Sequence, residues 1–411
     1  MILIIDFIFG ENRMPELEPF GPIGIIAHTA NQEFAESVNS ILYEKRKNRF
    51  NNNSNPYVKN PGYLRTNYMM DSSLIRFQTG EGKFQLGESV RGHDIFIITD
   101  ITANNLEMNV SGETRIFSPD DHYRDLLRIV SAVSGKAKRV SVIMPFVYEG
   151  RTVKTNGTSE SLDCAGMLQQ LYDLGVKNII IFDPHDDRIA NAVPVMGMDF
   201  PKCAFKIIST LLNTFDSVAI DKNKTMVVSP DESGVNRGIF YSSMMNLPLG
   251  IFYRDRDYTQ KIDGVHPVKD YKFLGDDVNG KDIIIIDDMI NSGSTMLRTS
   301  RKLKEKGAKD IYCLSSFGLF TDGFEEIDKA YEEGLIKGII CTNLIYRSPE
   351  LLSKKWYTDV KMGPYVAKLI DSLNVDESIY DLVNSTTRIQ DLLGQVRMGE
   401  LIDEFGDIQK K

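Results

Sequence analysis

The chain has 411 residues, with 57 acidic against 48 basic side chains and a net charge of −9. That length favours two domains over one. The acidic balance argues against a general nucleic-acid binder, which would be basic, but leaves room for a local basic pocket that holds phosphates. Cys164, Cys203, Cys313 and Cys341 lack metal-ligand spacing and read as small apolar packing residues in a reducing cytosol. Residues 1–10 are apolar but too few to span a bilayer, with no basic flank or cleavage site. They read as a short strand or ordered arm. The expectation is a cytoplasmic protein with no membrane or nucleic-acid partner.

In chain order, residues 24–27 read as a first strand. Residues 30–45 read as a helix, with Phe34, Val38 and Ile41 at helical spacing. The Asn-rich stretch 46–60 reads as a loop, and 75–77 as extended chain. Residues 90–98 form a buried strand, 104–120 irregular chain, 123–134 a helix and 140–145 a strand. Residues 162–174 form a helix ended by Gly175, and 178–183 a strand. This alternation predicts an α/β fold with a mainly parallel sheet. Further on, four consecutive Ile, 283–286, read as a strand buried on both faces. It runs into Asp287 and Asp288, then Asn291, Ser292, Gly293, Ser294 and Thr295, then a helix over 296–306 closed by Gly307. Residues 339–345 read as a strand and 362–374 as an amphipathic helix. Residues 385–411 read as a further helix on Ile389, Leu392, Leu393 and Val396.

The strand, acidic pair, small polar turn and helix N-terminus together suit a phosphorylated sugar. Ligands of open α/β sheets sit beyond the carboxyl ends of strands. Free N–H groups at a helix start favour phosphate, and paired carboxylates suit sugar hydroxyls or a hydrated Mg²⁺. The chain also repeats itself weakly. Residues 92–100 (GHDIFIITD) resemble 280–288 (GKDIIIIDD), each followed by a helix, a Gly, a Lys and another strand. Such self-similarity points to two domains of one fold in tandem, with the acidic pair and the phosphate turn only in the second.

The stretch 281–295 resembles the PRPP-binding motif of type I phosphoribosyltransferases and ribose-phosphate pyrophosphokinases. The family turn is usually Asp-Thr-Gly-Gly-Thr, and here Asn291, Ser292 and Ser294 stand for Asp, Thr and the second Gly. The motif alone fits both families. Three further segments follow in the order found in the pyrophosphokinases: 90–98 resembles VRGxDVFII, 182–185 (FDPH) resembles VDLH, and 227–235 (VVSPDESGV) resembles VVSPDxGGV. The tandem architecture agrees with that family (the PRPP synthetases) better than with single-domain transferases.

The resemblance implies two tandem phosphoribosyltransferase-like domains, each a mainly parallel sheet flanked by helices. The ATP-side domain spans 21–204 and is completed by the helix 362–384. The ribose-phosphate domain spans 205–361, with an arm over 1–20 and a helical extension over 385–411. The implied reaction transfers the β,γ-diphosphoryl group of Mg-ATP to ribose 5-phosphate, giving PRPP and AMP, in a homo-oligomer (dimer or hexamer). The other reading is a non-catalytic regulatory subunit that binds nucleotide or ribose phosphate.

The implied metal ligands for Mg²⁺ are His185 and Asp231. By itself, Asp231 reads equally as the cap of a helix beginning near Ser233. The implied catalytic residues are His185, Arg254 and Arg256. Arg254 stands where the family has a Lys, and Lys261 is a nearby substitute cation. The ribose 5-phosphate residues are Arg256, Asp287, Asp288, Asn291, Ser292, Gly293, Ser294 and Thr295. The ATP residues are Phe77, Thr79, Gly80 and Glu81, in a segment like F-S-D-G-E, and Arg151, Thr152 and Lys154, where the family has GYARQDRR.

Overall fold

Runs of buried β-branched residues set the architecture. Strands Ile23–Ala27 and Asp94–Ile98 are buried almost throughout, as a strand covered on both faces must be. They pair in parallel, with Ile25 opposite Phe96. Arg139–Ile143, Asn178–Ile180 and Gly197–Asp199 extend the sheet in chain order. The computed structural model describes residues 18–52, 60, 62–103, 106–110, 112–152, 159–215, 218–256, 259, 268–398, 401–402 and 408–409. Most of the expected N-terminal arm, Lys154 and Lys261 lie outside them.

The second sheet repeats the plan. Thr225–Ser229, Asp282–Ile290, Ile311–Gly318, Gly338–Thr342 and Tyr357–Val360 follow one another in the same parallel order. Beyond Thr225–Ser229 the sheet adds Leu249–Arg256 and antiparallel Val268–Leu274. The repeat seen in the sequence thus falls on the second strand of each five-strand series. Strand order reverses between Thr225–Ser229 and Asp282–Ile290, and such a switch point opens a ligand crevice at the carboxyl ends.

One buried cluster runs through both halves, from Phe96 and Phe182 to Tyr312, Ile340 and Leu369. The helix Gly363–Asn374 returns to the first half and packs on the helix Gln32–Asn52. There buried Arg46 donates to Asp371 at 2.8 Å and to Asn374 at 2.7 Å. Lys45 and Arg49 reach the same carboxylate. Burial pushes Asp371 up, but these three cations hold it below the usual carboxylate range. This pairing explains why the first helix continues to Asn52 rather than ending at 45. Its last turns are polar in sequence, and their partner lies over 300 residues away. The described residues within 104–120 are also more regular than expected. They contain a hairpin, Glu107–Val110 with Glu113–Ile116, and the next helix starts at Pro119, where Ser118 and Asp121 form a capping box.

The helix expected over 385–411 spans only Thr386–Met398 and packs on the body, with Ile389, Leu392 and Leu393 in the shared core and Arg388 over the Phe205 ring at 4.1 Å. Beyond it Leu401–Ile402 pairs antiparallel with Ile408–Gln409. All four cysteines are buried and free. No helix among the described residues is long and apolar enough to cross a membrane.

Candidate active site

The strand Asp282–Ile290 carries its parallel pairing through the acidic pair, with Asp287 opposite Ser315 and Met289 opposite Phe317. The carboxylates therefore sit within the strand and not just past it, on backbone that is fixed by a neighbour. Gly293 follows with φ +84°, where a Cβ would also come 3.1 Å from Ile327 Cδ1. Glycine suits both demands. Ser292 Oγ donates to Ser294 Oγ at 3.0 Å, and the helix Ser294–Glu305 begins in this turn.

The neighbouring strand Thr225–Ser229 delivers Asp231. Its Oδ1 accepts the N–H groups of Ser233 at 3.0 Å and Gly234 at 3.3 Å, at the start of the helix Val235–Met245. Its Oδ2 accepts from Arg254 Nη2 at 2.6 Å. Asp231 thus braces the turn that precedes the helix and is an ion-pair partner. The helix itself starts at Val235 with Gly234 as its cap residue and no side-chain capping bond, so Asp231 is not its cap. Arg254 lies on Leu249–Arg256, and its own N–H donates to Glu232 at 2.6 Å.

The first half approaches from across the cleft. Past Asn178–Ile180 the chain stays buried to Asp183, which holds φ +41°. This conformation is costly for a residue with a side chain. It is held by the Asp183 carboxylate, which accepts from Cys203 N–H at 3.0 Å and Ser316 Oγ at 2.6 Å and lies 3.5 Å from Arg237. Two residues on, His185 Nδ1 meets Asp288 Oδ2 at 2.8 Å.

The electrostatics of the pair are divided. The Asp288 hydrogen bond raises the His185 pKa above its ordinary range, against burial. Burial pushes Asp288 up, but His185 and Arg237 outweigh it and keep Asp288 ionised. Asp287 goes the other way: burial, then the charge of Asp288, push its carboxyl well above the usual range. Two adjacent carboxyls with opposite shifts mark a functional site.

Arg151, His185, Asp231, Arg254, Asp287, Asp288 and residues 289–296 line one cavity of about 350 Å³. A second cavity of about 330 Å³ adjoins it, shares His185, Ser233, Asp287 and Asp288, and adds Lys202 and Arg237. The predicted residues Arg151, His185, Asp231, Arg254, Asp287, Asp288, Asn291, Ser292, Gly293, Ser294 and Thr295 therefore meet at one place. Among the described residues, five others, Phe77, Thr79, Gly80, Glu81 and Thr152, line neither cavity. Phe77, Thr79, Gly80 and Glu81 form the tip of the hairpin Ser72–Arg76 with Gly82–Leu86. There Thr79 Oγ1 donates to Glu81 at 3.0 Å, and Phe77 is 49% exposed, so it is no core residue. Thr152 Oγ1 donates to Glu149 O at 2.8 Å, within a turn. Arg256 ends its strand at a register shift, and its side chain lies outside the described residues.

The sequence reading assigned no role to Asp183 or Arg237. Their signals are weak but present: a carboxylate two residues before the site histidine, and an arginine at the start of a helix with no acidic residue three or four positions away on either side.

Two phosphoribosyltransferase-like domains in tandem, facing each other across a polar cleft, define the class of this fold. Residues 23–175 match the N-terminal domain of ribose phosphate pyrophosphokinase, and residues 199–331 match the phosphoribosyl transferase domain. The chain belongs to the ribose-phosphate pyrophosphokinase family, as its motifs imply. It is 27% identical over 287 residues to a Streptococcus mutans protein named "Putative ribose-phosphate pyrophosphokinase 2", covering 69% of this chain and 79% of that one. An Enterococcus faecalis relative named as number 1 of the same series is 26% identical over 281 residues, covering 68% and 77%. The crystal structure of phosphoribosylpyrophosphate synthetase from Mycobacterium smegmatis shares the fold, with a TM-score of 0.66 at 21% identity over 85% of this chain and 98% of that one.

Proposed function

We propose that this chain is a ribose-phosphate diphosphokinase that moves the β,γ-diphosphoryl group of Mg-ATP to the 1-hydroxyl of ribose 5-phosphate, forming PRPP and releasing AMP. One observation carries the reading. The acidic pair and the turn 291–295 of one half share a cavity with His185 and Arg151 of the other. A sugar phosphate on the first set and a nucleotide on the second would meet between them.

The turn holds the 5-phosphate, with N–H groups at the helix start as donors. Asp287 and Asp288 take the ribose hydroxyls, and Arg256 supports them. Asp231 and His185 hold Mg²⁺. With Nδ1–H donated to Asp288, His185 keeps Nε2 for a ligand, and the unfavourable charge at Asp287 is what a nearby divalent cation offsets. The bound ion supplies charge neutralisation for the phosphates. Arg254 faces the same cavity, where a guanidinium neutralises the group in transfer. Were Asp231 engaged by the ion, Arg254 would be free to pair with the phosphates instead. Arg151, Thr152 and Lys154 bind the ATP phosphates.

Phe77, Thr79, Gly80 and Glu81 take the base. Their distance from the cavity of their own chain favours a homo-oligomer, dimer or hexamer, in which a second copy brings the hairpin. We assign the ATP side to 21–204 with 362–384, the ribose-phosphate side to 205–361, and the flanks to 1–20 and 385–411, in a cytoplasmic enzyme.

A second reading, a non-catalytic regulatory subunit, is favoured by the ion pair of Arg254 with Asp231, which occupies the cation standing in place of the family lysine. Purified protein is incubated with Mg-ATP and ribose 5-phosphate, and AMP and PRPP are measured. Equal amounts of both support the enzyme. Ligand binding without turnover supports the regulator, and no binding of either rejects both.

A further inference from the structure

A second polar cluster lies at the carboxyl ends of the first two strands of the first sheet, lining neither active-site cavity. His28 directly follows Ile23–Ala27, and its N–H donates to Ile98 O at 2.8 Å. Thr99 and Asp100 follow Asp94–Ile98 at the same level. These places correspond to those of Asp231 and of Asp287–Asp288 in the second half, since the internal repeat sets Asp100 against Asp288. The helix Pro119–Val133 covers them and contributes His122 and Asp125, which share one face at i, i+3 spacing.

The exposure of His28 is 1%, and that of His122 and Asp125 is 0%. One ligand atom from each lies within 4.8 Å of the others, and His28 Nε2 is 3.8 Å from Asp125 Oδ2. His122 Nε2 sits 3.1 Å from Ala103 O. A carbonyl only accepts, so Nε2 carries the hydrogen and Nδ1 keeps a bare lone pair. That Nδ1 and both nitrogens of His28 are buried without a hydrogen-bond partner, as are nearby Thr99 Oγ1 and Asn31 Oδ1. Buried polar atoms are rarely left so. An imidazole whose other N–H is fixed on a carbonyl is the usual arrangement of a metal ligand. Asp125 is oriented by Arg128 Nη1 at 2.6 Å and by Arg76, and each oxygen retains a second lone pair. Asp100, buried beside His122, and Asp125 balance the two guanidiniums, so the cluster is neutral before any cation enters.

We propose that His28, His122 and Asp125 form a binding site for a zinc-class transition metal. Two imidazoles and a carboxylate are a zinc donor set, whereas Mg²⁺ favours a shell dominated by oxygens, which two imidazoles would not supply. Tetrahedral zinc with bonds of 2.0–2.1 Å sets its donors about 3.4 Å apart, so the His28–Asp125 gap has little to close. The metal ties the first strand to the helix Pro119–Val133. Through Arg76, which donates to Gly80 O at 3.1 Å, it also steadies the hairpin that carries Phe77.

The test uses full-length protein stripped of metal, titrated with Zn²⁺ and separately with Co²⁺ in excess Mg²⁺, as wild type, as the His28→Gln/His122→Gln double variant and as His185→Ala. The expected result is about one Co²⁺ per chain with the intense visible bands of a tetrahedral site, and a higher Tm with Zn²⁺. Both signals persist in His185→Ala and vanish in the double variant. Wild-type protein that gives no tetrahedral Co²⁺ spectrum overturns the proposal, and that measurement stands even if the double variant fails to fold. A spectrum that survives in the double variant, or disappears in His185→Ala, overturns it as well.

Discussion

Replacing Asp287 by asparagine should make the protein more stable and less active at once. Burial and the Asp288 charge hold the Asp287 carboxyl above its ordinary range. In the unfolded chain an aspartate ionises near pH ~3.9. Between that pH and the folded value, the unfolded chain has released a proton that the fold still holds. Stability therefore falls as pH rises through this window, by up to about 1.4 kcal/mol per pH unit, and levels off above the folded value. Asparagine has no proton to release, so the variant lacks this slope. With an unfolding entropy of about 2 cal/mol/K per residue over 411 residues, a change of 1 kcal/mol moves Tm by about 1 °C. Calorimetry without divalent ions should show the variant's Tm advantage growing by about 1.6 °C per pH unit between roughly pH 5 and pH 7. His185 and Asp288 titrate in both proteins and largely cancel. A gap that stays constant or narrows with rising pH would refute the electrostatic account. PRPP formation should meanwhile fall roughly 10²-fold or more, the scale of a lost transition-state contact.

Adding Mg²⁺ near neutral pH should raise the wild-type Tm more than that of Asp287→Asn, because the ion can displace the Asp287 proton and pair with a carboxylate that the variant cannot form; equal shifts would count against a metal beside the pair. Arg254→Ala should lower kcat and kcat/KM together by roughly 10²-fold with little change in KM for ATP, and Arg254→Lys should keep or raise activity. An Arg254→Ala enzyme as fast as wild type would leave Arg254 as no more than the partner of Asp231. His185→Ala should weaken Mg-ATP binding more than ribose 5-phosphate binding in equilibrium titrations, and equal losses would reject its nucleotide-side role.

What the sequence made legible was local. The four-Ile strand, its acidic pair and the small-residue turn announce themselves within fifteen residues, because burial, ligand contact and the left-handed Gly293 each restrict residue type nearby. The repeat of 92–100 at 280–288 is legible because both segments are second strands of a parallel series. What stayed hidden depends on distant partners. Residues 46–52 are helical because Arg46 finds Asp371. Asp183 tolerates a positive φ because Ser316, Cys203 and Arg237 converge on it. The hairpin tip of Phe77 looks like part of the site in sequence, but geometry sets it apart, since chain order fixes motif order and not distance.

The two halves share a strand plan but not the surroundings of its ligand end. In the second half Thr225–Ser229 has neighbours on both sides, so the crevice between it and Asp282–Ile290 has walls and an open mouth. In the first half Ile23–Ala27 is the sheet edge, and the turn after Asp94–Ile98 is closed by buried Ile101 and Ala103. Asp100, at the level of Asp288, is spent on bracing the halves, accepting from Tyr346 N–H at 2.6 Å. Asp183, two residues before His185, braces them again through Ser316. The first half therefore lends side chains to a cleft it cannot form itself. The distance at which His185 and Arg151 face the acidic pair is set by these braces. Loosening Asp183 should disturb His185 before it disturbs the turn 291–295, which rests on its own strand and on Gly293.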